Sequence, residues 1–492
     1  MRRSCLQFSC RPCLRAAAFS IFFIHALGSV TCAQAQTAAQ RAVEAAKKYS
    51  GTTLTLEWQA GLQALDPLNF SGPLWESLTG IKIKVVEIPL PEVFSKILLD
   101  YRSETGSFDV VDVVPSWMPD LAQAGALEPL DAFVDKYGYR DELKKIAPTF
   151  RDNWMMANGR TYAFPDDGDV LILYYRKDIF GDPAIRSAFK AKHGYDLAPP
   201  KTWKQFSEIG SFLTGQLKPD GIFGASAVRD PAFAQYMFQE RFRNEGGKFF
   251  DAETMKASIN SPIGARVLSE MRDENRFMPP GVENFKFAEN LAMFQTGQSA
   301  MTISWPPVGR WAAGYGADEK ALSFVPKSKV AGKVGYALTP GGNPELAIGH
   351  ALSVAFTSKN KEAAYLFIQW LNSEDISIKR VQIPYTLRDP FRTSHYSNLE
   401  YLSKWPDAKD YLDTLKAASE AGLFDLSLIQ TDKYEEVLRQ GFSRLWAGED
   451  AQKILDDLAR QWDEITMRVG VEKQRAVYAG WAAKPGAYPK GR

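Results

Sequence analysis

From Thr52 onward, short β-branched runs alternate with amphipathic stretches, the pattern of an α/β domain. Leu54-Thr55-Leu56-Glu57-Trp58 reads as a first strand, and the helix after it is expected to end near Thr79 with Gly80 as its left-handed cap. Residues 81–86 alternate cleanly as a second strand. Phe94, Ile97, Leu98 and Tyr101 recur at i, i+3, i+4 and i+7, one face of a helix. Residues 109–114 are mostly apolar and predict a strand buried on both faces. Strand, helix, strand, helix, strand implies a parallel sheet with right-handed crossovers. Further strands are expected over 170–176 and 350–357, and residues 297–305 read as a helix end, a strand and a loop. Thr202 is placed to cap a helix after Pro199-Pro200. Residues 361–371 predict a helix with Ala364, Phe367, Ile368 and Leu371 inward, and Ile454, Leu455, Leu458, Trp462 and Ile465 mark a long amphipathic one. The Pro/Gly-rich stretch 481–492 is expected to be a flexible tail.

The N-terminus sets the compartment. Arg2, Arg3, Arg11 and Arg15 form a basic region without an acid, residues 16–30 are largely apolar, and Ala33-Gln34-Ala35 follows as a small-x-small cleavage pattern. Residues 1–35 are therefore expected to be a cleaved signal peptide, and the mature protein periplasmic. A lipid anchor on Cys32 is the rival, disfavoured because Thr31 is large for the position before a modified cysteine. All four cysteines (Cys5, Cys10, Cys13, Cys32) precede the cut, so the mature chain has no thiol for a disulfide, a nucleophile or a thiolate metal site. Losing four arginines and no acid turns 59 basic and 58 acidic residues into 55 and 58, a net charge of −3. That balance lacks the basic footprint of a nucleic-acid binder. The remaining length exceeds one ordinary core, so two lobes are expected. The Pro/Asp/Gly-rich run 162–169 is the first candidate crossing between them.

A series of motifs resembles one family. Leu-Thr-Gly-Ile-Lys-Ile stands at 78–83, Phe-Asp-Val-Val-Asp-Val-Val at 108–114 and Ala-Gly-Ala-Leu-Glu-Pro-Leu-Asp at 124–131. Tyr-Ala-Phe-Pro-Asp-Asp-Gly-Asp follows at 162–169, Leu-Tyr-Tyr-Arg-Lys-Asp-Ile-Phe at 173–180 and Pro-Lys-Thr-Trp at 200–203. Phe-Gln-Thr-Gly-Gln-Ser-Ala-Met-Thr-Ile-Ser-Trp-Pro at 294–306 and Thr-Ser-Lys-Asn-Lys-Glu-Ala-Ala at 357–364 complete the series. In this order they resemble extracellular solute-binding proteins of ABC sugar importers, the branch related to maltose-binding protein. The resemblance implies an α/β, two-lobed periplasmic-binding-protein-like fold (type II), with the ligand in a cleft between lobes joined by hinge strands. It implies lobe one over 36–165 plus 327–385 and lobe two over 166–326 plus 386–480. It also implies partners: a carbohydrate or polyol, and the membrane permease and ATPase subunits of the importer. The protein is expected to be a monomer without cofactor or metal.

A sugar offers apolar C–H faces and hydroxyls that donate and accept, so its site needs aromatic platforms and side chains that bond hydroxyls in pairs. Trp58, Trp117 and Trp305 lie just past expected strand ends and are the candidate platforms; each has an alternative as core or loop anchor. Asp167 and Asp169 flank Gly168, and in extended chain both carboxylates project to one side. They are candidate ligand groups, with turn formation or cation binding as alternatives, while Asp166 is expected only to shape the turn. Arg388 has the geometry to fork onto hydroxyls, or to pair with adjacent Asp389. Tyr434 is a further candidate, on a helix with a core face of its own. His350 reads as a hydrogen-bonded strand-end histidine rather than a solute contact.

Other classes remain in view. The same fold binding a polyamine, metal chelate or oligopeptide is the main alternative, followed by a secreted glycoside hydrolase using a carboxylate pair. His193, His350 and His395 are far apart, and the sequence holds no His-x-x-x-His or Gly-x-Ser-x-Gly element. A module feeding a sensor rather than a transporter shares every feature above.

Overall fold

A computed structural model describes residues 36–489; the expected signal peptide lies outside them. Strands form where the sequence alternates or is uniformly β-branched. The first lobe is built on a five-stranded sheet of β1 (Thr53–Gln59), β2 (Lys82–Ile88), β3 (Val110–Val113), β4 (Ala163–Asp167) and β9 (His350–Val354), in the order β2-β1-β3-β9-β4. β1 pairs in parallel with β2 and β3, as the strand–helix rhythm requires, and Gly80 ends the intervening helix at φ 72°. β9 enters antiparallel between β3 and β4. Its five residues are all buried because strands flank it on both sides. The second lobe carries a four-stranded sheet, β8-β5-β7-β6, from β5 (Ile172–Arg176), β6 (Ser226–Ala227), β7 (Met301–Ser304) and β8 (Val334–Ala337).

Two expectations change here. β8 lies in the segment expected for lobe one, yet it pairs antiparallel with β5, Val334 opposite Arg176. The second crossing therefore falls after Ala337, not near residue 327. The run 162–169, read as a connection, is mostly strand: β4 borders the first sheet through β9 before the chain leaves it at Gly168. A Cβ at Gly168 would lie 2.2 Å from the Pro390 carbonyl, so two crossings run past each other at contact distance here.

Helices cover the sheets with their apolar faces. The helix Lys361–Asn372 packs on β9 and on the alanine-rich helix Ala38–Ala46, which a Thr37–Gln40 capping box starts. In the second lobe the helices Pro231–Asn244, Thr431–Trp446 and Ala451–Val469 pack together. The expected flexible tail is docked as far as residue 489. Trp481 Nε1 donates to the Asp425 carbonyl at 2.9 Å, Arg243 donates to the Ala487 carbonyl at 2.8 Å, and the hydroxyls of Tyr478 and Tyr488 lie 2.6 Å apart. Aromatic bulk and a buried guanidinium override the Pro/Gly composition. Among the described residues no helix is long and apolar enough to cross a membrane.

Candidate functional site

The lobes meet around a cleft of about 340 Å³. The first lobe supplies Gln59 at the end of β1, Gln63 in the loop after it, the end of β4 with Asp167, and His350 at the start of β9. The second supplies Phe233, Phe287 and Trp305, which follows β7. Asp169, Ile348 and Asp389 come from the crossings themselves. The Trp305 ring stands edge-on to Phe233 and Phe287, with centroids 5.8 and 6.2 Å away, and its indole N–H is held by the Ala347 carbonyl at 3.0 Å. One wall is thus aromatic and the opposite floor carboxylate.

The floor is ionic and buried. Arg380 bonds Asp66 at 2.5 Å and Asp166 at 2.6 Å, and Arg388 Nε lies 2.8 Å from Asp166. Above this layer Asp167 accepts from the Gln63 amide at 2.9 Å and from the Asp389 backbone N–H at 2.8 Å. Asp389 pairs with buried Arg310 at 3.2 Å. His350 Nδ1 is 3.0 Å from Asp112, which orients the ring. Burial, with Asp167 and Asp389 beside it, holds the Asp169 carboxyl well above the usual carboxylate range. Burial pushes Asp389 up to about 7 against the pull of Arg310. Burial opposes the charged form of His350, but the Asp112 carboxylate outweighs it and the pKa is raised. Asp167, Asp169 and His350 each place a ligand atom within 4.8 Å of the others.

The backbone around the cleft is strained. Ile348 and Leu387 both line it and adopt φ values of 70° and 49°, uncommon for non-glycine residues and rarer still for a β-branched one. The Ile348 N–H is held by Asp425 at 3.2 Å. Gly349 follows at φ 58°, where a Cβ would meet the Trp154 ring at 2.2 Å.

Residues 40–377 match the family of bacterial extracellular solute-binding proteins. The chain belongs to this family. Among its relatives, a probable amino-acid ABC transporter periplasmic-binding protein of Sinorhizobium fredii is 27% identical over 358 residues, 71% of this chain and 74% of that protein. The mannitol-binding protein of Pseudomonas aeruginosa is 26% identical over 362 residues, 69% and 74% of the two chains. An ABC transporter solute-binding protein from Agrobacterium radiobacter, solved with ribitol, superposes with a TM-score of 0.70 at 23% identity, covering 85% of this chain and 99% of the other. The two-lobed fold is the one these structures share.

Within this solute-binding protein, three of the seven residues singled out from sequence line the cleft: Asp167, Asp169 and Trp305. Four do not. Trp58 is fully buried under Arg388, whose guanidinium lies 5.5 Å from its ring, and its indole bonds the Gln63 carbonyl. Trp117 packs edge-on to Phe94 and donates to Glu435 of the second lobe at 3.2 Å. Arg388 neither reaches the cavity nor pairs with Asp389; it is spent on Asp166 and Gln63 beneath the floor. Tyr434 faces the second lobe's own core, bonding Thr466 at 2.9 Å against the Trp462 ring. Asp166 is a buried ion-pair member rather than a turn former. His350 bonds Asp112 as a strand-end histidine and also lines the cleft. Gln59, Gln63, Phe233, Phe287 and Asp389 went unmarked in the sequence. Only the first two carry a signal, as polar residues just beyond Trp58.

Proposed function

We propose that this protein, exported to the periplasm with its first 35 residues removed, captures a sugar or polyol between its lobes. It then hands the solute unchanged to the permease and ATPase of an ABC importer. The observation that carries this reading is the cleft, in which an aromatic wall from one lobe faces carboxylates from the other across room for a small solute. The aromatic rings suit C–H faces, and the carboxylates suit hydroxyl donors. The mannitol-binding relative and the ribitol-bound neighbour make linear polyols the first class to try. Short crossings near residues 168–171, 338–349 and 383–392 connect the lobes and can absorb rotation while each sheet moves as a body. A solute touching both lobes supplies the differential affinity that closure requires.

The test is a thermal-shift panel of sugars and polyols on the secreted chain, followed by small-angle scattering. A cognate solute raises the melting temperature and shrinks the radius of gyration, and is recovered chemically intact. A radius unchanged by a bound solute refutes closure, and hydrolysed or oxidised solute restores the enzyme reading.

A further inference from the structure

The polar groups of the cleft are unequally engaged. Among the described residues lining it, Gln63 gives its amide to Asp167, Trp305 its indole to Ala347, and His350 faces Asp112 through Nδ1. The Gln59 amide, the second ring nitrogen of His350 and the exposed Lys286 at the rim are the lining side-chain groups left over. The acceptors are in surplus. Asp389 is fully buried, with the Asp169 carboxyl bonded to it and Arg310 at 3.2 Å as its charged neighbour. Asp169 is buried and takes the Gly349 N–H, yet has no ion-pair partner among the described residues, whereas Asp167 and Asp389 each have an arginine within 4.0 Å.

We propose that the cognate solute is an amine-bearing sugar or polyol, whose ammonium group seats against Asp169 and Asp389 while its carbon skeleton lies along Trp305, Phe233 and Phe287. This rests on reading the cleft as the solute site and names the chemistry that site selects. A hydroxyl donates one hydrogen bond to such a carboxylate and brings no charge to it. An ammonium donates up to three hydrogen bonds and accepts none. It also supplies the ion-pair partner that Asp169 lacks among the described residues. A metal ion in the corner formed by Asp167, Asp169 and His350 is the rival source of positive charge.

Matched probes separate these readings in calorimetric titrations of the full mature chain: D-glucitol against D-glucamine, and N-acetyl-D-glucosamine against D-glucosamine. The charged member of at least one pair is expected to bind at least about tenfold more tightly than its neutral partner. Asp169→Asn should reduce that preference to about threefold or less. The wild-type comparison stands without the variant, and the variant's thermal unfolding checks its fold. Neutral members binding as tightly as charged ones overturn the inference and leave the sugar or polyol reading in place. The inference also fails if calcium, manganese or zinc alone binds the wild type and a chelator then abolishes solute binding. Failure of every probe, with and without those ions, counts against the sugar or polyol reading and the inference together.

Discussion

Two of the places where the lobes meet differ in what completes them. At one, Trp117 donates to Glu435, Ser427 donates to the Ser116 carbonyl at 2.7 Å, and the Gln430 N–H meets Asp120 at 2.8 Å. The protein supplies both sides of that contact. At the other, Trp305 and its flanking phenylalanines face Asp167, Asp169 and Asp389 across an unfilled cleft. Both start from the same local device, a tryptophan just beyond a strand end. What separates them is the partner: helix Thr431–Trp446 places a carboxylate on Trp117, whereas Trp305 borders the cleft. A strand-end aromatic therefore marks where lobes meet, and only the opposing lobe decides whether solute is needed to complete the contact.

The largest effect expected from breaking this distinction is on stability. Trp117→Ala removes a buried indole packed on Phe94 and leaves Glu435 without its donor, at a cost of about 3–5 kcal/mol of unfolding free energy. Denaturant titration measures it. Solute affinity should change less than in the Trp305 variant below. A Trp117 variant of unchanged stability with ruined affinity would move the solute site to that contact.

Next comes affinity. Trp305→Leu keeps an apolar residue between Phe233 and Phe287 but loses the flat face and the indole N–H held by Ala347. It should weaken solute binding about tenfold by calorimetry, roughly 1.4 kcal/mol, with a smaller loss of stability than Trp117→Ala. Equal affinity in wild type and variant would remove the aromatic wall from the site.

These two variants also measure what the sequence could say. Strand and helix periodicity placed β1, β2, β3, β5 and the helix Lys361–Asn372 to within a few residues, because each buries a face whose pattern is local. β4 and β8 escaped because their pairing depends on β9 and β5, and a Pro/Asp-rich strand has no local signature. The same limit governs the site. Asp167 and Asp169 were legible from their spacing across Gly168. Trp117 was misread because Glu435, its partner, is 318 residues away. Arg388 was read as forking onto hydroxyls or pairing with Asp389, because the acids that claim it, Asp66 and Asp166, lie in other segments. Phe233 and Phe287 sit among ordinary helix-start residues, and nothing nearby distinguishes them from core aromatics.

The smallest effect is a pH slope at the filled contact. Burial pushes the Glu435 carboxyl up to about 8, against the pull of Arg439, where an unfolded chain has the ordinary value of 4.5. A folded pKa above the unfolded one means the native state holds the proton more tightly. The stabilisation is therefore complete below pH 4.5 and is lost as pH rises through about 8. Glu435→Gln keeps an acceptor for the Trp117 indole and cannot ionise. The two proteins should melt at similar temperatures near pH 5, and the variant should melt a few degrees higher near pH 9. Asp389, near 7, titrates in both proteins, so the comparison rests on the difference between the curves and not on either slope. Parallel curves from acid to alkaline pH would mean that Glu435 ionises without cost, and that the contact with Trp117 is wetter than its burial implies.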